Sequence, residues 1–248
     1  MKFLILFLIV FPVSSFAGGM KIFSMNLHCG LDDWKSRMDI VVAEILKSNP
    51  DVIGLQEVCY NRDMNMATYI RSELVKGGYP VESLETFDTH TSFVKYQEQL
   101  LIISRHKSVE KDAGALPSPS VLKNGYLAIR IGEQWFLTTH LHFAIAMIRK
   151  SQYEFIHKKF GGKKAIMFGD LNSNPDDRET DVLRHTAWMS FFDGATYPSD
   201  APEKTFDGFW MTESFYAQVM ATTIERIFLN ARVHPSDHLG IELTLLSR

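Results

Sequence analysis

Polar side chains that could bind a cation or a phosphate stand at the ends of several apolar runs. Five segments share this design: Phe23-Ser24-Met25-Asn26, Gly54-Leu55-Gln56-Glu57, Leu137-Thr138-Thr139-His140-Leu141-His142, Ile166-Met167-Phe168-Gly169-Asp170-Leu171-Asn172 and Ser236-Asp237-His238. Hydrolysis of a phosphodiester requires a hard cation held by oxygen ligands, donors that neutralise charge on the phosphoryl oxygens, and a base that directs a water molecule. The side chains of these segments could supply all three requirements.

Each residue alone is weak evidence, because a strand-end Asn is commonly a turn residue and a strand His is commonly structural. The combination is more specific, since Gln56-Glu57, Gly169-Asp170-Leu171-Asn172 and a near-terminal Ser236-Asp237-His238 occur in this order in one chain. At these residues the sequence resembles the superfamily that includes deoxyribonuclease I, abasic-site endonucleases, bacterial sphingomyelinases and inositol polyphosphate 5-phosphatases. The resemblance extends over nearly the whole chain, from about residue 21 to residue 245.

The resemblance implies a site for a divalent cation, Mg²⁺ or Mn²⁺. Glu57 would be its principal carboxylate ligand, with Asn26 beside it and Asp237 nearby. The substrate would be a phosphodiester in a nucleic acid or a phospholipid headgroup. A nuclease or general phosphodiesterase is the favoured function, and a sphingomyelinase-like enzyme or a catalytically weak binding protein is the alternative.

The resemblance also implies roles around the reacting phosphate. His140 and Asn172 would contact the scissile phosphate, while Asp170 and His238 would position and deprotonate the attacking water. A histidine base needs a carboxylate on its other ring nitrogen to fix the tautomer. In the superfamily that carboxylate lies in a strand reading Ile-Asp-Tyr-Ile-Phe, and here the matching stretch places Glu225 at its position.

One further departure and one further resemblance concern the cleft. Gln99 begins the run Gln99-Leu100-Leu101-Ile102-Ile103-Ser104, where the superfamily commonly has a glycine. Phe206 and Phe209 belong to a stretch that resembles a loop of small superfamily members. Their aromatic rings could line the cleft, although packing is the favoured role.

A zinc hydrolase is a competing interpretation of His140 and His142. Residues two apart on a strand point to the same side, and imidazole is a good zinc ligand. A zinc site of this kind would need a further His or Cys close in sequence, and Phe143-Ala144-Ile145 offers none. The magnesium-type site is therefore preferred.

The first residues predict export. Lys2 is followed by an apolar run from Phe3 to Val13 and then by Ser14-Ser15-Phe16-Ala17, which is typical of a cleaved signal peptide at residues 1–17. Residues 18–248 would then form one domain of a secreted or periplasmic protein, with no stable protein partner and a monomeric state. The formal net charge of −3 shows no basic surplus that would indicate nucleic-acid binding. An oxidising destination permits a disulfide between Cys29 and Cys59, but two free thiols remain an equal alternative.

Periodicity predicts short strands mixed with few helices. The predicted strands cover residues 20–26, 51–57, 100–104, 126–131, 135–141, 165–168, 224–230 and 239–245, and the predicted helices cover 38–46, 64–76, 145–160 and 178–183. Asp32 or Asp33 could cap the first helix, and Asn49-Pro50 would end it. This pattern suggests two stacked sheets flanked by helices. The resemblance makes the expected fold specific: an α/β (α+β) four-layer sandwich of two mainly antiparallel sheets, as in deoxyribonuclease I.

Overall fold

The computed structural model describes residues 19–29, 33–92, 95–119 and 123–247, and the predicted signal peptide at 1–17 lies outside them. Within these residues the strands are β1 (Met20–Asn26), β2 (Val52–Tyr60), β3 (Ser83–Ser92), β4 (Tyr96–Ser104), β5 (Glu110–Ala115), β6 (Gly125–Ile131), β7 (Gln134–His140), β8 (Ala165–Asp170), β9 (Trp188–Phe191), β10 (Asp207–Thr212), β11 (Val219–Ile227) and β12 (Gly240–Ser247). The helices are α1 (Trp34–Ser48), α2 (Met66–Lys76), α3 (Ala146–Phe160), α4 (Asp181–Arg184) and α5 (Glu213–Tyr216), with a 3-10 turn at Arg178–Thr180.

The strands form two six-stranded sheets of related design. The first has the order β11-β12-β1-β2-β4-β3 and the second has the order β5-β6-β7-β8-β10-β9. Each sheet contains one parallel pair, β1–β2 in the first and β7–β8 in the second, and its other neighbours are antiparallel. A helix connects each parallel pair, as parallel neighbours require.

Three apolar clusters separate four layers. In β1, Ile22 faces the second sheet, while Phe23 and Met25 face α1 and α2, as the two-residue period of a strand dictates. On the opposite side of the molecule, Tyr153 and Ile156 of α3 pack against the outer face of the second sheet. The order helix, sheet, sheet, helix confirms the predicted four-layer sandwich.

The two sheets approach closely behind the ends of β2 and β7. A side chain at Gly54 would meet the Phe168 ring at 2.2 Å, so only glycine allows this contact. Next to it, Gln56 Nε2 donates hydrogen bonds to Thr138 Oγ1 at 2.8 Å and to Ser24 Oγ at 3.2 Å. These buried bonds hold the adjoining strand ends of the two sheets together.

Most predicted elements are confirmed with small differences in their ends. Asn49 ends α1 in a left-handed conformation, as expected, but Asp33 makes no side-chain cap of that helix, and Asp32 lies outside the described residues. The strand predicted at 224–230 is instead β11, which begins at Val219 and ends at Ile227. The stretch around Phe206, which resembles a loop, contains the start of β10 at residue 207, a strand that is buried throughout and therefore lacks a polar–apolar alternation.

No helix among the described residues is long and apolar enough to cross a membrane.

Candidate active site

One carboxylate oxygen, Asp170 Oδ2, lies at the centre of the polar cluster at the strand ends. It accepts a hydrogen bond from Asn26 Nδ2 at 3.0 Å. It also lies 3.4 Å from His140 Nε2 and 3.6 Å from His238 Nε2. The structure therefore brings together predicted residues from β1, β7, β8 and the segment before β12.

The end of β8 has a backbone that only particular residues adopt. Gly169 has a φ of 138°, and a Cβ there would lie 2.2 Å from the carbonyl oxygen of Thr139. Three residues later Asn172 is left-handed, with a φ of 50°. Its backbone N–H donates to Asp170 Oδ1 at 3.0 Å, and its Nδ2 donates to the carbonyl of Leu141 at 3.1 Å. Asn172 thus lies beside the cluster, where its predicted contact with phosphate stays a prediction.

The ring of His238 is held by Asp207, the first residue of β10. His238 Nδ1 lies 2.8 Å from Asp207 Oδ2, and that oxygen also accepts from Thr196 Oγ1 at 2.6 Å. Both His238 and Asp207 are buried. Since Nδ1 is engaged by the carboxylate, Nε2 is the ring nitrogen directed toward Asp170.

Two opposing effects set the protonation of His238. Burial lowers its pKa, but the charges of Asp207 and Asp170, with the hydrogen bond to Asp207, outweigh burial and raise the pKa to about 10. In this structure the imidazolium form of His238 is therefore stabilised at neutral pH.

The prediction that Glu225 partners His238 was wrong. Glu225 lies on β11 opposite Glu242 of β12, and its side chain is exposed to solvent. Sequence similarity alone could not show that a carboxylate from the neighbouring sheet, Asp207, occupies the position beside the ring.

The carboxylate of Glu57 is fixed by two donors, one at the end of β1 and one in the segment that follows β1. Asn26 Nδ2 donates to Oε1 at 2.8 Å, and the backbone N–H of Cys29 donates to Oε2 at 3.0 Å. Cys29 and Cys59 form a disulfide, which resolves the choice that the sequence left open. Glu57 is only partly buried, so its carboxylate is accessible from solvent.

Asp237 contacts a residue that the sequence did not single out. Its Oδ1 lies 3.1 Å from His28 Nδ1. This pairing raises the pKa of His28, with the carboxylate of Asp237 as the main cause. Although burial opposes the change, the same pairing and the charge of His238 lower the pKa of Asp237.

The chemistry of these donors fits a divalent cation. Glu57 and Asp170 direct carboxylate oxygens at the same amide nitrogen of Asn26, and like charges gathered in this way favour a bound cation. A second group, Asp170, Asp207 and His238, has one potential ligand atom from each residue within 4.8 Å of the others. In that group Asp207 and the ring are already hydrogen-bonded to each other, which leaves the Glu57 side better suited to a metal.

His140 and His142 do not form the pair that the zinc hypothesis requires. β7 ends at His140, so His142 lies beyond the strand, and the rule that strand residues two apart point to the same side does not apply to it. His142 Nδ1 instead accepts hydrogen bonds from the backbone N–H groups of Ala144 and Ile145, each at 3.2 Å. Among the described residues, the group of three potential metal ligands does not include His142.

Asp207, Thr196 and Tyr197 complete the site and were missed by sequence reasoning. The Tyr197 ring lies 4.8 Å from the His238 ring and 5.6 Å from the Phe206 ring, measured between centroids. Phe206 is half-buried beside the site, whereas Phe209 is fully buried in the core between the sheets. A usable signal existed for Asp207, since a carboxylate directly precedes the apolar run Gly208-Phe209-Trp210-Met211.

A model of the Endonuclease/Exonuclease/phosphatase family matches residues 23–238. The chain belongs to this family. The matched range includes every site residue described above and confirms the resemblance inferred from the sequence. Members of the Endonuclease/Exonuclease/phosphatase family are generally hydrolases that act on phosphoester bonds.

Solved structures show the same fold. A family protein from Leptotrichia buccalis has a TM-score of 0.75 and 22% identity, covering 92% of this chain and 99% of its own. A family protein from Beutenbergia cavernae has a TM-score of 0.74 and 17% identity, covering 92% of this chain and 72% of its own. Truncated TDP2 from Caenorhabditis elegans has a TM-score of 0.67 and 17% identity, covering 93% and 98%. Among curated proteins, none matches the chain.

Proposed function

We propose that this protein is an exported, divalent-metal-dependent phosphodiesterase that hydrolyses its substrate by in-line attack of water. The observation that carries the proposal is the convergence of Asn26, His140 and His238 on a single oxygen of Asp170. The family match supports phosphoester hydrolysis. A nuclease or a general phosphodiesterase is the favoured activity.

Glu57, Asn26 and Asp237 would hold Mg²⁺ or Mn²⁺ at the partly exposed side of the cluster. The bound cation would act as a Lewis acid that stabilises charge on the phosphoryl oxygens. Asn26 links this side to the reacting centre, because its Nδ2 donates to both Glu57 and Asp170.

The side chains around Asp170 divide the proton chemistry. His238, whose pKa is raised to about 10, is a proton donor at neutral pH and would stabilise a developing oxyanion through Nε2. Asp207 holds the ring of His238 in position through Nδ1. Asp170 lies between two histidines and would orient the attacking water and accept its proton. His140 and Asn172 would bind the phosphate from the β7 and β8 ends.

Hydrolysis of bis-p-nitrophenyl phosphate tests the activity directly. The mature protein should release nitrophenol with Mg²⁺ or Mn²⁺, and the release should stop when EDTA is added. Glu57→Ala and His238→Ala should abolish release. Glu133→Ala and His185→Ala are matched controls, because the side chains of Glu133 and His185 are 81% and 78% exposed.

Two results would count against the proposal. Release by wild-type protein that persists in EDTA would remove the metal requirement. Absence of release with any metal, together with no cleavage of DNA, RNA or sphingomyelin, would favour the binding-protein alternative. One motive for that alternative is already weaker, because Asp207 supplies the carboxylate that Glu225 does not.

A phospholipid phosphodiesterase is the second candidate, and one exposed apolar segment favours it. Directly after His140 and His142, the segment Phe143-Ala144-Ile145-Ala146-Met147 carries no charge. Phe143, Ile145 and Met147 are 65%, 48% and 78% exposed. An exposed apolar surface beside a reacting centre suits contact with a lipid surface better than contact with a polyanion.

Vesicles of sphingomyelin and phosphatidylcholine distinguish the two candidates. A phospholipid enzyme would sediment with the vesicles and release the headgroup, and the double variant Phe143→Ser/Met147→Ser would lose both properties. That variant should retain hydrolysis of bis-p-nitrophenyl phosphate. Met220→Ser is the control, since Met220 is 67% exposed on β11. Cleavage of DNA or RNA without vesicle binding would reject the phospholipid candidate and leave the nuclease.

Export is part of the proposal and rests on the predicted signal peptide at residues 1–17. The Cys29–Cys59 disulfide supports it, because such bonds persist mainly in oxidising compartments.

A further inference from the structure

The Cys29–Cys59 disulfide lies next to the carboxylate that would bind the metal. Cys59 is two residues beyond Glu57 on β2, and Cys29 lies in the segment after β1. The bond therefore connects the strand that carries Glu57 to the segment that donates a hydrogen bond to it.

The two oxygens of Glu57 accept from the end of β1 and from that segment. Oε1 accepts from Asn26 Nδ2 at 2.8 Å, whereas Oε2 accepts from the backbone N–H of Cys29 itself at 3.0 Å. A backbone donor is positioned only as well as its chain segment is held. The disulfide fixes Cys29 to β2, so it also fixes the donor to Oε2.

The backbone of Glu57 needs support from its surroundings. Its φ of 52° is left-handed, a conformation that is strained for a residue with a side chain. The pairing of β2 with β4 shifts register between Leu55 and Val58, so Glu57 lies in a bulge of the strand. Contacts on both sides of the bulge must therefore maintain the direction of its side chain.

The segment after β1 is anchored at several points, and the backbone N–H of Leu27 donates to the carbonyl of Gln56 at 3.0 Å. Arg37 Nη1 donates to the carbonyl of Leu27 at 2.8 Å, and Nη2 donates to the carbonyl of His28 at 3.1 Å. Beyond these residues the disulfide holds Cys29. His28 is left-handed as well, with a φ of 53°, so this segment also adopts a conformation that its neighbours must stabilise.

We propose that the disulfide is a positioning element for Glu57, which it holds in the geometry that binds the cation. Without the bond, Cys29 is free to move away from Oε2 and the bulge can relax, so the metal affinity falls. The inference rests on the proposed role of Glu57 as a metal ligand. Changes in the groups that orient a metal ligand typically weaken metal affinity by about 10–100-fold, which is the size of effect expected here.

Mn²⁺ binding to the mature protein, measured by titration calorimetry and by electron paramagnetic resonance of free Mn²⁺, tests this inference without substrate. Cys29→Ala/Cys59→Ala should bind Mn²⁺ about 10–100-fold more weakly than wild type. Glu57→Gln marks complete loss of the site. Leu74→Ala is the stability control, because Leu74 is buried in the same apolar cluster as Cys59 but lies on α2.

The outcomes separate the inference from its premise. Wild-type affinity in the double-cysteine variant, with loss in Glu57→Gln, would show that the disulfide only stabilises the fold. Equal weakening in Leu74→Ala would have the same meaning. Wild-type affinity in Glu57→Gln would remove the premise and the inference with it. If the double variant does not fold, wild-type protein reduced with a phosphine and desalted without oxygen takes its place, with circular dichroism as the check on folding.

Discussion

The ring of His238 lies between two carboxylates that contact different nitrogens. Asp207 engages Nδ1, and Asp170 lies near Nε2. Asp207 therefore orients the ring, while Asp170 lies on the side of the ring that would face the substrate. This division makes the contribution of each carboxylate measurable by substitution.

Asp207→Asn should lower kcat for bis-p-nitrophenyl phosphate by about 10²–10⁴-fold, the usual contribution of a positioned acid or base. The amide keeps the shape of the side chain but does not stabilise the imidazolium. KM should change little, since Asp207 is buried behind the ring. Glu225→Gln should retain wild-type kcat, because Glu225 is exposed on β11. A larger loss in Glu225→Gln than in Asp207→Asn would contradict the assignment.

His142 predicts a pH dependence of stability. Burial, followed by the charge of Arg149, lowers the pKa of His142, and its neutral Nδ1 accepts two backbone hydrogen bonds. The unfolded chain then binds the proton more readily, so this contribution to stability is complete above about pH 6.5 and is lost as the pH falls below that value.

The comparison with His142→Asn isolates this effect, because Asn can accept the same bonds and does not titrate. Urea unfolding of both proteins between pH 8 and pH 5 should show wild type losing stability relative to the variant as the pH falls. Parallel curves across the range would show that His142 does not titrate in this way.

Individual site residues were predictable where a polar residue able to bind a metal or a phosphate stood at the end of a clear apolar run. Asn26, His140, Asp170 and His238 followed from that pattern, and the structure places them in one cluster. The partnership of Asp207 with His238 was not predictable in this way, because it depends on how β10 lies against β8. That arrangement is a property of the sheet and is not local to either residue.

At the scale of elements, the two parallel strand pairs position the site residues. In β1–β2, Asn26 is opposite Gln56, and in β7–β8, His140 is opposite Asp170. The antiparallel strand β10 then brings Asp207 opposite Asp170. These registers depend on close approaches that glycine alone permits.

Gly169→Ala should destabilise the protein by roughly 3 kcal/mol, since a φ of 138° is strained for alanine and the methyl group would collide with the Thr139 carbonyl. Activity should fall further than stability, because Asp170 is the next residue. Thermal unfolding and bis-p-nitrophenyl phosphate hydrolysis measure the two effects. Gly162→Ala is the control, since a Cβ there meets no atom within 4 Å. Equal Tm values for the two variants would contradict this account.

Elements with a clear period were predictable, and the others were not. α1 and β1 had the expected apolar spacing, and both are present. β3 and β5 are half-exposed edge strands with few apolar residues, and β9 has only four residues, so none gave a strong signal. These strands form because the neighbouring strand offers unpaired backbone groups, which the local sequence does not reveal.

For the whole molecule, the first prediction concerns maturation. Expressed with all its residues in a bacterium that exports proteins, the chain should lose residues 1–17 and begin at Gly18, because Ala17 is a small residue at the cleavage position. Intact mass and N-terminal sequencing measure the product. Ala17→Arg should leave the leader attached. An exported wild-type protein that still begins at Met1 would contradict the prediction.

The two sheets have related strand arrangements, but the chain supplies their strands in different ways. The second sheet is built from one continuous stretch, β5 to β10, whereas the first combines β1–β4 with β11 and β12. β12 lies between β11 and β1, so the last strand among residues 19–247 is an interior strand of its sheet.

A ribosome that has made everything up to residue 239 has therefore made a protein that cannot finish folding. β1 still lacks one of its two neighbours at that stage, and β11 has no place in the sheet. Completion of this sheet waits for the eight-residue strand β12, which must find a partner more than 200 positions earlier, a slow kind of pairing. If the chain is exported as proposed, this delay is useful, because a chain that folds late is still extended when translocation begins.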